Sequence, residues 1–184
     1  MHLTYLGHSC FLVETGNARI LIDPFLTGNP AAAIKAEGVS CDAILVSHGH
    51  EDHIGDALSI AKRNDAVIVA NYELAEYFTA KGARTHGMNP GGAHVFPFGK
   101  VKLTLAHHSS SMEAGLNAVY LGTPCGILLQ AGGKTLYHAG DTALFSDLKL
   151  IGEKQKIDVA CLPIGDNFTM GPDDAARAAE WLDA

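Results

Sequence analysis

The chain has 184 residues, 47% apolar and 18% charged, with 20 glycines and a formal net charge of -7. That length fits one domain with a sizeable core and many tight turns, and the acidic balance without any Lys/Arg run excludes a surface built on clustered cations for a phosphate backbone. No apolar stretch approaches the roughly 20 residues needed to span a bilayer, and Met1-His2-Leu3-Thr4 lacks a basic segment leading into an apolar one, so no membrane contact and a cytoplasmic location are expected.

In chain order, Leu3 to Leu6, Cys10 to Glu14 and Arg19 to Asp23 are short strand-like runs separated by Gly7-His8-Ser9 and Thr15-Gly16-Asn17, a spacing that predicts an opening antiparallel meander. Asp23-Pro24 closes the third run, because proline cannot donate to a ladder. Residues 25 to 40 read as a loop with one helical turn that could overhang a pocket. Ala43 to Ser47 is a buried strand, Ile54 to Arg63 has helical spacing, Ala66 to Ala70 returns as a strand, and Tyr72 to Ala80 is a second helix ended by Lys81-Gly82. The pattern then turns to β at Val101 to Ala106, Ala118 to Leu121, Gly126 to Gln130 and Thr135 to Tyr137, with Gly132-Gly133 as a hairpin turn. Ala143 to Ile151 reads as a helix and Val159 to Pro163 as a buried strand. Asp173 to Leu182 reads as a helix with Pro172 in its first turn. The order is β-rich half, helices, β-rich half, helices, which points to a single α/β domain with a weak internal duplication. Cys10, Cys41, Cys125 and Cys161 are scattered without close pairs and read as reduced thiols, neither a disulfide framework nor a zinc knuckle.

Histidine is the compositional anomaly, with ten in the chain, most of them at the ends of apolar runs. The densest set is His48-Gly49-His50-Glu51-Asp52-His53, directly after Ala43 to Ser47. Neutral imidazole and carboxylate both bind divalent first-row metals. With Gly49 relaxing the turn, His48 and His50 can converge on one ion, while Asp52 and His53 can serve a second. The structural alternative is a polar loop entering a helix with Asp52 near its N-cap. His107 and His108 close the run Val101 to Ala106, and alternation along a strand lets only one of them face the site. Asp141 follows Gly140 at another strand end, with the N-cap of the next helix as its alternative role.

His-x-His-x-Asp-His after a strand resembles the signature of the metallo-β-lactamase superfamily. Tyr5-Leu6-Gly7-His8-Ser9-Cys10, Ala106-His107-His108-Ser109-Ser110-Ser111 and Tyr137-His138-Ala139-Gly140-Asp141-Thr142 fit the same pattern in the same order. Together they resemble its small metal-dependent hydrolase branch, related to L-ascorbate 6-phosphate lactonase. The resemblance implies a four-layer αβ/βα sandwich with the site where strand ends meet. It implies one ion on His48, His50 and His108 and another on Asp52, His53 and a bridging Asp141. A hydroxide between the ions would attack an ester, lactone or phosphoester of a small-molecule substrate, with Asp52 as the catalytic group that holds or accepts the proton. The N/O ligand set suits zinc, manganese, nickel or iron. His8 is expected near substrate, Asp23 behind a ligand imidazole, and His107 behind or beside His108. Ser109, Ser110, Thr142 and Asn167 are expected to line the substrate pocket.

A true β-lactamase is disfavoured, because its second site usually has Cys where Asp141 stands. A phosphodiesterase or RNA-processing nuclease keeps the same ligands, and a non-catalytic metal-binding relic of the fold is the third reading. Members of the resembled family continue past the helix Asp173 to Leu182 into a further strand with one more His ligand, whereas the sequence stops at Ala184. The expectation that follows is one or two divalent ions per chain, nearer one than two, low activity, and a homo-oligomer joined at an open sheet edge.

Overall fold

The computed structural model describes residues 1–16, 18–114 and 117–184. Asn17, read above as part of a turn, lies outside the described residues. β1 (His2–Gly7), β2 (Cys10–Thr15) and β3 (Ala18–Ile22) form the antiparallel meander, with Thr4 opposite Leu12 and Leu12 opposite Leu21. The sheet continues in parallel through β4 (Ala43–Leu45), β5 (Val67–Asn71) and β6 (Thr85–Met88), giving six strands in sequence order. Parallel neighbours need crossovers, supplied after β4 by α1 (Glu51–Ile54) and α2 (Ala57–Asn64) and after β5 by α3 (Tyr72–Ala80).

The second half builds β7 (Ala93–Phe96) and β8 (Gly99–Leu105), then a separate hairpin of β9 (Ser111–Ala114) and β10 (Asn117–Tyr120). β11 (Cys125–Ala131) and β12 (Lys134–His138) follow, joined at Gly132-Gly133 with Ala131 opposite Lys134. α4 (Leu148–Lys154), β13 (Val159–Cys161) and α5 (Pro172–Leu182) close the chain, and the sheet order is β13-β12-β11-β8-β7.

The period of two along each strand divides the apolar residues among three cores. Leu21, Ile44 and Ile68 face Ile60, Leu74 and Phe78 of the first helix layer. Ile20, Ile22 and Leu45 point the other way, between the sheets, against Leu103, Ile127 and Leu129. Leu128 and Tyr137 face Leu148, Ala178 and Leu182 of the second helix layer. These are the four layers, helix, sheet, sheet, helix. The central parallel strands are buried on both faces, which is why they read as unbroken apolar runs.

Several elements differ from expectation. The helix expected over Ile54 to Arg63 is two helices, because Gly55 takes φ +26° where a Cβ would lie 2.6 Å from the Pro24 carbonyl oxygen. The helix expected from Ala143 begins only at Leu148. Val159 to Pro163 shortens to β13, an edge strand that is partly exposed, not a buried one. Ala118 to Leu121 belongs to the small hairpin instead of a main sheet, and β6 and β7, each carrying a histidine among its few apolar residues, were not anticipated. Residues 25 to 40 contain one 3-10 turn, Ala36–Gly38, tied down by the Arg63 guanidinium, which donates to the Ala36 carbonyl at 2.6 Å. The four thiols are free, and burial pushes them up, Cys125 to about 12 and Cys41 to about 11, which leaves them unreactive.

Truncating Leu129, fully buried between the sheets, should therefore cost about 3 kcal/mol, whereas Val95→Ala on exposed β7 should change stability by less than about 0.5 kcal/mol. Urea denaturation of the two variants beside the parent checks it, and equal midpoints would contradict the placement of the inter-sheet core.

Candidate metal centre

The side chains of the site leave the sheets at strand ends. His48 and His50 follow β4, His50 in extended backbone, and Asp52 and His53 sit in α1, whose N-cap is His50. His108 follows β8, and Asp141 follows β12. Gly140 makes the last placement possible. It takes φ +62°, where a Cβ would stand 2.8 Å from the Cys125 carbonyl oxygen and 2.9 Å from Ser47 Cβ.

The donor atoms form three overlapping trios, each within 4.8 Å: His48, His50 and His108; His48, His53 and Asp141; and His8, Asp52 and His53. His48 Nε2 is 3.0 Å from His50 Nδ1. Asp141 Oδ2 lies 3.4 Å from His53 Nε2 and 3.7 Å from His108 Nε2, and so occupies the middle of the cluster. On the outer side, His8 Nε2 stands 3.4 Å from Asp52 Oδ2.

The decisive atom is His53 Nε2. Its partner nitrogen Nδ1 is committed to Asp23 Oδ2 at 2.8 Å, and Nε2 is buried without a hydrogen-bond partner, although Asp141 is near. An orphaned imidazole nitrogen facing a carboxylate and two further imidazoles is a costly arrangement unless a cation joins them. The electrostatics agree. Burial, with the neighbouring His53, holds His48 well below the ordinary histidine range, and burial with His108 lowers His50, so both are neutral lone-pair donors. Burial opposes a charged His53, but the Asp23 and Asp141 carboxylates outweigh it and raise that group. Burial likewise opposes charge on Asp141, yet His53 keeps it ionised. Asp52 is held below the usual carboxylate range first by the adjacent His8 and then by the charge of His53, against its partial burial. Neutral His48 and His50 beside ionised Asp52 and Asp141 offer the lone pairs that a divalent first-row ion takes, whereas His53 keeps between its two carboxylates a proton that a cation at Nε2 would displace.

The other anticipated residues take varied places. Asp23 lies fully buried behind His53, accepting also from Ser47 N at 2.8 Å and Ser47 Oγ at 2.6 Å. Ser110 is buried, with its Oγ accepting from Gly49 N at 3.0 Å and donating to the Leu121 carbonyl at 3.2 Å, so it braces the ligand loop. Ser109 is exposed, 3.2 Å from His50 Nε2. His107 turns its ring onto Phe145, 4.6 Å between centroids, and with His108 and Ser109 lines a cavity of 570 Å³. Asn167 is exposed on the loop after β13 and lines a cavity of 830 Å³ together with His8, Asp52 and Asp141. Thr142 does not line a pocket. It is fully buried, its Oγ1 accepting from His107 N and donating to the Ala143 carbonyl, which leaves no polar atom for substrate.

Three supporting residues escaped the sequence. Ser47 links Asp23 to His48, its Oγ 3.0 Å from His48 Nδ1. Buried His138 donates from Nε2 to the Ser9 carbonyl at 3.1 Å and accepts from Gly140 N at 3.2 Å, which joins the turn bearing His8 to the strand end bearing Asp141. Asn71 caps α3 through Leu74 N and donates to the carbonyls of Leu121 and Thr123. Ser47 adjoins the motif and His138 lies three residues before Asp141, so nearness in sequence was the one available signal.

A two-sheet sandwich with clustered imidazoles and carboxylates at its strand ends defines a metallo-β-lactamase-fold metal protein. The chain belongs to the β-lactamase superfamily domain family, whose model matches residues 2–184. It is 62% identical over 185 residues to a UPF0173 metal-dependent hydrolase of Anoxybacillus flavithermus, covering 100% of this chain and 82% of that protein, and 59% identical over 186 residues, at the same coverage, to one of Bacillus cytotoxicus. Among solved structures, Igni18, a metallo hydrolase from Ignicoccus hospitalis, superposes with a TM-score of 0.87 at 39% identity over 98% of this chain and 77% of its own. An isothiocyanate hydrolase from Delia radicum gut bacteria shares the fold at 20% identity, with a TM-score of 0.74 over 98% of this chain and 80% of its own. No described helix is long and apolar enough to cross a membrane.

Asp23→Ala would strand the Ser47 and His53 donors in the interior, and should cost about 3–5 kcal/mol of stability and about 10–100-fold in metal affinity. Asp23→Asn, which keeps an acceptor for Ser47 N, should lose less on both counts. Denaturation midpoints and metal titration of the two variants check the order, and parent-like affinity in Asp23→Ala would refute it.

Proposed function

We propose that the chain is a metal-dependent hydrolase whose His48, His50, His108, Asp141, His53 and Asp52 hold one or two divalent ions and which cleaves an ester, lactone or phosphoester. The observation that carries this reading is the buried His53 Nε2, without a hydrogen-bond partner, in the residue shared by two of the three trios. The names of the relatives support the same activity. Zinc, manganese, nickel or iron suits the donor set.

The six side chains would hold the ions, whose chemistry when bound would be to acidify water to near neutrality and to polarise the oxygen of an electrophilic carbonyl or phosphoryl group. The chain's own groups do the rest. Neutral His48 and His50 offer lone pairs without first losing a proton, and Asp141 stands between the two sides of the cluster. Asp23 and Ser47 fix the ring orientations of His53 and His48 from behind. At the mouth, Asp52 Oδ2 beside His8 Nε2 is the partly exposed pair that takes up the proton released from water and passes it to solvent. The active form is cytoplasmic and acts on a small molecule.

His48→Ala or His50→Ala should lower bound metal and reduce any hydrolysis at least about 100-fold while the far-ultraviolet circular dichroism stays that of the parent, because both residues lie on a loop beyond β4. Metal analysis after dialysis, with assays on bis(p-nitrophenyl) phosphate, a lactone and a p-nitrophenyl ester, is the test. Equal metal content in variant and parent would sink the assignment.

A further inference from the structure

The cavity of 830 Å³ shares His8, Asp52 and Asp141 with the metal centre, so a molecule reacting there can extend into this cavity. Its far wall is apolar, with Tyr5, Phe11, Leu162, Ile164 and Phe168 lining it. Three of these are large apolar side chains left open to solvent, Phe168 at 79%, Ile164 at 63% and Tyr5 at 57%. No Lys or Arg lines the cavity among the described residues, and the side chain with a formal charge on that wall is a carboxylate, Asp166. The loop is shaped to present them. Asp166 and Asn167 both take left-handed backbone, with φ +59° and +48°, and carry Phe168 outward between them and Met170, whose N–H is fixed to the Thr142 carbonyl at 3.0 Å.

An anion such as a phosphodiester needs cationic or multiple N–H donors beyond the reacting centre to offset its lost hydration, and this wall offers a carboxylate instead. An uncharged acyl or aryl group loses little by leaving water and gains from covering exposed rings. The geometry points to an uncharged carboxylic ester or lactone with an apolar group of several carbons as the substrate class, the apolar group lying against Ile164 and Phe168. This rests on the hydrolase reading and narrows it. In the reaction the acyl–oxygen bond breaks and the oxygen of water bonds to the acyl carbon. The alcohol leaves with one proton of that water, and the acid releases the other.

The test compares p-nitrophenyl hexanoate, p-nitrophenyl acetate and bis(p-nitrophenyl) phosphate on the metal-loaded chain, and measures hexanoate and acetate binding to it by calorimetry. Each buried methylene is worth about fourfold, so hexanoate should exceed acetate by about tenfold or more, both in kcat/KM of the esters and in affinity of the free acids. In the double variant Ile164→Ala/Phe168→Ala both ratios should fall to within about threefold; the two residues are exposed, so folding is spared. Faster turnover of bis(p-nitrophenyl) phosphate than of either ester would overturn the inference. So would ester turnover with a ratio near one, which leaves the hydrolase reading standing. A tenfold binding preference for hexanoate that the double variant abolishes, with no turnover of any substrate, would support the apolar subsite and refute the hydrolase reading. Absence of both turnover and preference would refute both.

Discussion

The site depends on one buried carboxylate. Asp23 ends β3 in left-handed backbone, φ +43°, with its N–H donating to the Leu45 carbonyl at 3.0 Å, so the ends of β3 and β4 are locked side by side. A charge with no solvent contact persists only when its lone pairs are occupied. Ser47 N, Ser47 Oγ and His53 Nδ1 occupy them. Because His53 Nδ1 is engaged by Asp23, Nε2 is the nitrogen left for a cation, and the ring plane fixed by Asp23 turns it towards Asp141. One residue outside the histidine motif thereby decides which atom of that motif is offered to a cation and from which direction.

The donors come from both sheets, so the centre is only as well defined as the contact between the sheets. His48, His50, Asp52 and His53 belong to the first, His108 and Asp141 to the second. Apolar packing between the sheets is not directional and does not set ångström-level distances by itself. Polar clamps do. Cys125 N donates to the Ser47 carbonyl at 2.9 Å, Gly49 N to Ser110 Oγ, and Asn71 Nδ2 to the carbonyls of Leu121 and Thr123. Each ties a strand end or loop of one sheet to the other half of the domain, and the first two lie within a few residues of a candidate donor.

How legible this was follows from the range of each interaction. The candidate motif is local: six residues after an apolar strand carry four of the clustered imidazole and carboxylate side chains, so sequence could single them out. The period-two strands and the capped helix α5, with Pro172 at its start and Asp173 and Asp174 in its first turn, were legible for the same reason. What failed was tertiary. Gly55 breaks a helix only because Pro24 crosses it closely, a contact 31 residues away that no local spacing encodes. The bracing role of His138 has no local signature because its partner, Ser9, is 129 residues away. Thr142, beside a ligand, suggested a pocket residue, yet the chain from Asp166 to Met170 folds over it and buries its hydroxyl.

Backbone strain is distributed unevenly, and its distribution separates chemistry from selectivity. Of the six non-glycine residues with positive φ among the described residues, His8, Asp23, Asp166 and Asn167 lie at the candidate metal centre or on the wall of its larger cavity. Such conformations cost of order 1 kcal/mol each and persist where neighbours over-determine them. For His8 the neighbour is His138, holding the next carbonyl; for Asp23 it is the donor trio described above. The donors are thus fixed by strand ends and buried hydrogen bonds. Ile164 and Phe168, by contrast, ride on a loop and touch no donor of the centre through a hydrogen bond. Under the hydrolase reading, substitutions at Ile164 and Phe168 would reshape the apolar wall while the backbone bond from Met170 to Thr142 stays in place, so differences in substrate would be carried by the residues between β13 and α5.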